Sequence, residues 1–228
     1  EQVNRLSTEV NGVVLEDSGL LAEVTNLVEA PTALRGSFDP QHLKLPQEVL
    51  ISVMKKHQRY FPVLSAGAAE NNPSSQNLLP YFIAVRNGDG KWLDIVTDGN
   101  EHVIRARFAD ADFFVSEDLK RPLEAYLPRL DTLTFQVKLG SMLDKTRRIV
   151  ALVRHLAQQI SLNDDELRAA LRAAELCKAD LATKMVIEMT SLQGQMGRYY
   201  ALQSGEDEAV AEAIFEHYLP RFAGDQTP

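Results

Sequence analysis

The chain has 228 residues, with 24 Lys and Arg against 32 Asp and Glu, a formal charge of -8 and 45% apolar residues. A chain of this size buries roughly 70% of its unfolded surface, so it makes a core without covalent staples. A single cysteine, Cys177, excludes an internal disulfide, and no apolar run approaches the ~20 residues needed to cross a bilayer. A reducing cytoplasm and no membrane partner are the expected setting. Residue 1 is Glu rather than Met, and the chain is expected to be a piece of something longer.

Up to about residue 103 the pattern is mixed. Runs of β-prone residues at 49–53, 60–64, 81–85 and 92–96 are punctuated by Pro and Gly and predict short strands. Asn87-Gly88-Asp89-Gly90, between the last two, reads as a hairpin turn. Residues 65–76 include Gly67, Asn71, Asn72 and Pro73 without apolar periodicity, and read as a mobile loop. From Asp110 onward the pattern is helical. Ile149, Leu152, Val153, Leu156 and Ile160 form one apolar stripe, with Arg147, Arg148, Arg154 and Gln158 outside it, and the stripe is expected to face a core. Asn163 followed by Asp164, Asp165 and Glu166 is an N-cap with acids in the first turn, where the helix dipole favours negative charge. Further helices are expected at 180–189 and 207–218, the latter ended by Pro220. The expected fold class is α+β: a mixed α/β unit with short antiparallel strands over residues 1–103, then an all-α unit over residues 104–228.

Few residues converge on catalysis. Gly88-Asp89-Gly90 lacks the third glycine and the strand-to-helix setting of a dinucleotide loop, and reads as a turn. His42, His57, His102, His155 and His217 are scattered, none paired at the i, i+4 spacing that aims two imidazoles at one metal. His155 reads as a boundary or core residue, and Cys177 as an inert buried thiol. Asp110 and Asp112 lie near Arg105 and Arg107 and read as ion-paired structural acids. No catalytic and no metal-ligating residue is assigned.

Phosphate contact depends on local cation density rather than on net charge. The acidity is concentrated at residues 204–228, which hold one basic residue and six acidic ones. Met54-Lys55-Lys56-His57-Gln58-Arg59-Tyr60-Phe61-Pro62 places three permanent cations, a histidine and two aromatics in nine residues. That mixture meets phosphates with charge and bases with rings, although a lysine-blunted edge strand has the same composition. Arg105 and Arg107, two apart, share a face if the backbone is extended, and Lys145, Arg147, Arg148 and Arg154 decorate a helix exterior.

The ordered motifs carry a resemblance. They include Glu23-Val24-Thr25-Asn26-Leu27-Val28-Glu29, Gln58-Arg59-Tyr60-Phe61-Pro62-Val63, and Arg107-Phe108-Ala109-Asp110-Ala111-Asp112-Phe113-Phe114. Further along come Leu127-Pro128-Arg129-Leu130, Asp144-Lys145-Thr146, Cys177-Lys178-Ala179-Asp180-Leu181, Gln193-Gly194 with Met196-Gly197, and His217-Tyr218-Leu219-Pro220-Arg221-Phe222. Along essentially its whole length the chain resembles the β subunit of the bacterial heterotetrameric glycyl-tRNA synthetase, with residues 65–76 looking like an insertion in a hairpin loop.

The resemblance implies a central, non-catalytic piece of a longer subunit, part of a glycine-tRNA ligase. It implies tRNA(Gly) and the α subunit, separate or fused, as partners in an α2β2 assembly. ATP and Mg²⁺ are then expected at the α subunit, with no cofactor in this piece. The helical half looks like the family's HD-type domain, yet no His-Asp dipeptide occurs anywhere, so the metal centre of HD phosphohydrolases is missing its ligands. The residues expected to touch RNA are Lys55, Lys56, Arg59, Tyr60, Arg105, Arg107, Lys145, Arg147, Lys178, Lys184 and Arg198. Two other readings are a pure scaffold that docks the α subunit and a metal-dependent HD-type phosphohydrolase.

Overall fold

The apolar runs at 60–64 and 81–85 do form strands, and pairing them decides the first half of the chain. The computed structural model describes residues 1–66 and 77–228, so most of the loop expected at 65–76 lies outside the described residues. The chain divides into two compact units, Glu1–Phe113 and Phe114–Pro228.

In the first unit, α1 (Gln2–Thr8) leads to β1 (Gly12–Val13), α2 (Ser18–Leu27) and β2 (Pro31–Ser37). After α3 (Gln47–Ser52) and a π-helical turn (Val53–His57) come β3 (Phe61–Ser65), β4 (Leu78–Asn87) and α4 (Leu93–Asp118). The four strands make an antiparallel sheet in the order β1-β3-β4-β2. Residues 61–64 are all buried, as a strand covered on both faces requires. Pro62 has no N–H to give the ladder, and the β3–β4 register slips between Pro62 and Leu64. On one face Phe61, Val63 and Ile83 pack with Leu20 and Val24 of α2. On the other, Phe82 stacks on Tyr60 with ring centroids 4.6 Å apart. Phe82 stands opposite Gly36, where a Cβ would come within 2.3 Å of its ring, so β2 carries glycine at that position.

Two runs expected as strands are helical. Val49, Leu50, Val53 and Met54 are all buried and recur at helical spacing behind Pro46, so residues 49–53 close α3 and open the π turn. Residues 92–96 enter α4, whose buried Ile104, Phe108, Ala111 and Val115 repeat at intervals of four and three. That long periodicity outweighs the local β-propensity of Trp92–Val96. The Asn87–Gly90 turn therefore joins a strand to a helix rather than two strands, and Asn87 Oδ1 accepts from the Glu29 and Ala30 N–H groups at the start of β2. The boundary expected after Val103 falls inside α4.

The second unit is helical apart from a small hairpin, β5 (Thr134–Gln136) and β6 (Gly140–Ser141), which the all-α expectation did not contain. It is built from α5 (Met142–Ile160), α6 (Asp164–Leu176), α7 (Lys184–Glu188), α8 (Gln195–Gln203) and α9 (Glu208–Glu216), joined by short 3₁₀ turns. The helix expected at 180–189 is divided into a 3₁₀ turn (Ala179–Ala182) and α7. Ser141 with Asp144, and Asn163 with Glu166, form reciprocal capping boxes at α5 and α6. Arg172 of α6 bonds Glu206 through two nitrogens and also reaches Glu124. The carboxylate of Asp118 is buried, 2% exposed. It accepts from the Lys184 and Met185 N–H groups at 2.8 and 2.9 Å and from the hydroxyls of Tyr200 and Tyr126 at 2.9 and 3.4 Å.

The stripe on α5 departs from expectation. Leu152, Leu156 and Ile160 are 56, 44 and 64% exposed, so that edge of the stripe faces away from the core of its own unit. Ile149 and Val153 are half-buried, and Ala157, outside the predicted stripe, is the buried residue of this turn.

Two stability outcomes follow from these contacts. Phe82→Ala is expected to cost about 3–5 kcal/mol, because it removes a fully buried ring between Tyr60 and Gly36; urea unfolding measures it. Tyr200→Phe leaves the ring in place and deletes one bond to a buried carboxylate, an expected loss of about 2 kcal/mol in the same experiment.

Candidate nucleic-acid interface

The sequence-predicted contacts separate once their partners are known. Met54 is buried and anchors the π turn, which projects the next residues toward α2. Lys55 Nζ meets Asp17 Oδ2 at 2.5 Å, and Asp17 also accepts from the Leu20 N–H as the N-cap of α2. Burial alone would raise the Asp17 carboxyl, but the Leu20 N–H and the Lys55 ammonium outweigh it and hold the carboxyl below its ordinary range. Arg59 Nε pairs with Glu23 Oε1 at 2.5 Å. Arg59 ends the turn in the left-handed region, at φ 55°, a conformation that costs a non-glycine residue about 1–2 kcal/mol. It is held there as the chain reverses into β3, and the Tyr60 N–H bonds back to Met54 O at 2.9 Å.

The Tyr60 ring is buried rather than presented at the surface. It is 6% exposed, stacked on Phe82, and its hydroxyl donates to Asn100 Oδ1, whose amide in turn donates to Val96 O at 2.6 Å. Burial pushes the phenol up to about 12. Lys56, by contrast, is exposed and has no ion-pair partner among the described residues. Arg105 and Arg107 on α4 are likewise exposed and unpaired among the described residues. The backbone there is helical, so positions two apart point to opposite sides and the shared face expected for an extended segment does not exist. Asp112 is ion-paired, as expected, but to Lys44 at 3.1 Å rather than to a neighbouring arginine.

In the second unit most of the predicted cations are engaged. Arg147 pairs with Asp144, Arg198 with Glu212, and Lys184 with Glu117. Lys145 stands 4.1 Å from the centroid of the Phe135 ring. Lys178 is 8% exposed, so the sequence placed a core residue on the surface. Its ammonium lies 3.8 Å from the Tyr218 ring centroid and 2.6 Å from His217 Nε2. His217 Nδ1 lies 2.7 Å from Ile214 O, which makes Nδ1 the protonated nitrogen and Nε2 the acceptor for Lys178. His155, expected at a boundary or in the core, is exposed and bonded to Gln159. Cys177 is buried, and burial pushes its thiol up to about 11.

This cluster stands where an HD-type metal centre would be sought, and its donors do not fit one. A cationic ammonium already occupies the accepting nitrogen of His217, and the fully buried Asp180 accepts from the Gly194 N–H at 2.6 Å. Gly194 sits at φ 81°, and a Cβ there would come within 2.6 Å of the Tyr218 ring. Among the described residues no group of three or more His, Cys, Asp or Glu side chains is placed to hold a metal ion.

Sequence reasoning passed over Arg86. It lines a groove in the first unit together with Gln58, Arg59, Asn100 and apolar residues from α2, β2 and α4. No local motif marks it, because the fold brings these residues together from five separate segments.

The buried cluster makes opposite demands on pH. Burial, reinforced by the Lys178 ammonium, pushes His217 down to about 4, so its contribution to stability is present above pH ~6.5 and is lost as pH falls through 4. Burial pushes Asp180 up to about 6, so its contribution is full below pH ~3.9 and is lost as pH rises through 6. Asp180→Asn removes the second dependence and leaves the first. Its urea midpoint is expected to climb more steeply between pH 4 and 6 than that of the wild type, and identical profiles would contradict the assignment.

The model of the glycyl-tRNA synthetase beta subunit family matches residues 1–228. The glycine-tRNA ligase beta subunit of Trichodesmium erythraeum is 51% identical over 228 residues, which are 100% of this chain and 31% of that protein. Its counterpart in Desulforamulus reducens is 52% identical, covering 100% of this chain and 32% of that protein, and the one in Bacillus subtilis is 46% identical over 227 residues, covering 32% of it. The chain thus spans about a third of the length of these relatives. Matched from first residue to last, the chain belongs to the glycyl-tRNA synthetase beta subunit family.

Proposed function

We propose that this chain is the part of a glycine-tRNA ligase that helps hold tRNA(Gly) and supports assembly with the α subunit, in an α2β2 or fused arrangement, without catalytic residues of its own. Glycine activation with ATP and Mg²⁺ then belongs to the α subunit, in the cytoplasm. The observation that carries the tRNA role is the set of cations on the first unit that are exposed and have no ion-pair partner among the described residues, Lys56, Arg105 and Arg107, in a chain of this family. A cation already neutralised by a carboxylate releases fewer counterions on meeting a phosphate, so the unpaired ones supply more of the affinity. Lys55 and Arg59 have a different part in this reading: through Asp17 and Glu23 they fix the π turn against α2 and so place Lys56.

The test is a salt titration of tRNA(Gly) binding to the full-length subunit. Replacing Lys56, Arg105 and Arg107 together by Ala is expected to flatten the slope of log K against log salt by about 2 to 3, at roughly 0.7–0.9 per lost phosphate contact. Arg198→Ala, whose charge is paired to Glu212, leaves the slope unchanged. An unchanged slope in the triple variant would remove these residues from the RNA surface and favour pure docking of the α subunit.

A further inference from the structure

The first unit contains a groove of about 400 Å³ beside the π turn. Its floor is the sheet, where Leu34 pairs with Ala84, and its walls are the end of α2, through Leu27 and the capping Val28, and α4, through Val96. The polar groups are Gln58 and Arg59, which follow the π turn, Arg86 from β4 and Asn100 from α4. Among the described residues two guanidinium groups and no carboxylate line it, one of the two, Arg59, being paired to Glu23. The larger groove between α6 and α9 has the opposite character, with Asp165, Glu166, Glu175, Glu206 and Asp207 among its lining residues.

The donors of the first groove are only partly spent. Arg59 uses Nε on Glu23, and its two terminal nitrogens have no partner among the described residues. Arg86 gives Nη1 to Lys91 O at 2.8 Å, a bond that holds the guanidinium in place while leaving its other N–H groups. Asn100 is fixed on both sides, accepting from Tyr60 and donating to Val96 O, so its remaining donor and lone pair point in a set direction. An apolar slot with rigid amides and free guanidinium N–H groups suits a flat, partly apolar ligand bearing an anion. A simple anion would leave the Leu27, Val28 and Val96 walls unused, and an amine would meet two like charges.

We infer that this groove receives one unstacked nucleotide of the bound tRNA, its base between α2 and α4 and its phosphate at Arg59 and Arg86. Single-stranded bases are read in this way, by an apolar or aromatic slot with amide groups at the base edge. The inference deepens the tRNA role proposed above and rests on it. It gives Arg59 a second contact besides Glu23 and explains a non-glycine residue held in the left-handed region at the groove mouth.

The experiment compares the full-length subunit with Val96→Trp, which fills the slot from its α4 wall, and Arg86→Gln, which removes one rim cation. Each is titrated with tRNA(Gly), with a single-stranded RNA trinucleotide and with inorganic phosphate. The expected result is a loss of tRNA affinity of about tenfold in both variants, the value of one stacked base or phosphate contact. Val96→Trp is expected to abolish trinucleotide binding with an unchanged salt slope, and Arg86→Gln to reduce the slope by about 0.7. Should Val96→Trp fail to fold, Leu27→Trp on the exposed α2 wall, a residue 58% exposed, serves in its place. Wild-type affinity for tRNA in both variants would overturn the groove while leaving the tRNA role standing. Inorganic phosphate competing as well as the trinucleotide would also overturn it, by reducing the site to an anion site. No tRNA binding by the wild type at any salt would overturn both.

Discussion

The second unit is organised around one buried anion. Asp118 is the last residue of α4, and its carboxylate gathers the Lys184 and Met185 N–H groups, the Tyr200 hydroxyl and the Tyr126 hydroxyl. A buried carboxylate is costly unless its lone pairs are filled, and here four donors from three different segments fill them. Those segments are then fixed relative to one another: the start of α7, the middle of α8 and the 3₁₀ turn before β5. The Lys178–His217 contact and the bond from the Gly194 N–H to Asp180 Oδ2 lie in the same unit and likewise pair a buried polar group with a partner inside the fold. Tyr60, Lys178 and His217, which look available in the sequence, are buried and bonded within the fold.

A similar sorting applies to the surface. Of the predicted cations, Lys55, Arg59, Arg147, Lys184 and Arg198 are matched to carboxylates. Exposed pairs of this kind add about 0–1 kcal/mol each to stability, so their importance lies in the charge they remove from the field a polyanion meets. Among the described residues, Lys56, Arg105 and Arg107 are left unmatched on the first unit and the groove there is lined by Arg59 and Arg86 without an acid, a charge distribution suited to phosphate. The acidic lining of the groove between α6 and α9 suits it poorly.

How much of this was legible in the sequence depended on how local the signal was. The Asn163 cap, the strands around Phe61 and Phe82 and the end of the last helix near Pro220 were visible because a few adjacent residues determine them. Residues 92–96 misled, since their β-branched side chains carry a local preference while the periodicity that makes them helical continues through Val115. Burial of Tyr60 and Lys178 was invisible for a related reason: Phe82, Asn100, His217 and Tyr218 stand 20 or more residues away. The α5 stripe was correctly read as apolar and helical, yet periodicity says only that a face is apolar, not that this unit supplies its cover. Family membership was legible because it rests on ordered motifs, which need no knowledge of their partners.

The central claim is that Lys56, Arg105 and Arg107, exposed and without an ion-pair partner among the described residues, meet the tRNA, while the buried Lys178 does not. Lysine-reactive footprinting of the full-length subunit, with and without saturating tRNA(Gly), tests it within one molecule. The account predicts that Lys56 reacts in the free protein and is protected by tRNA, and that the buried Lys178 is unreactive in both states. Equal reactivity of Lys56 in the presence and absence of bound tRNA would contradict it.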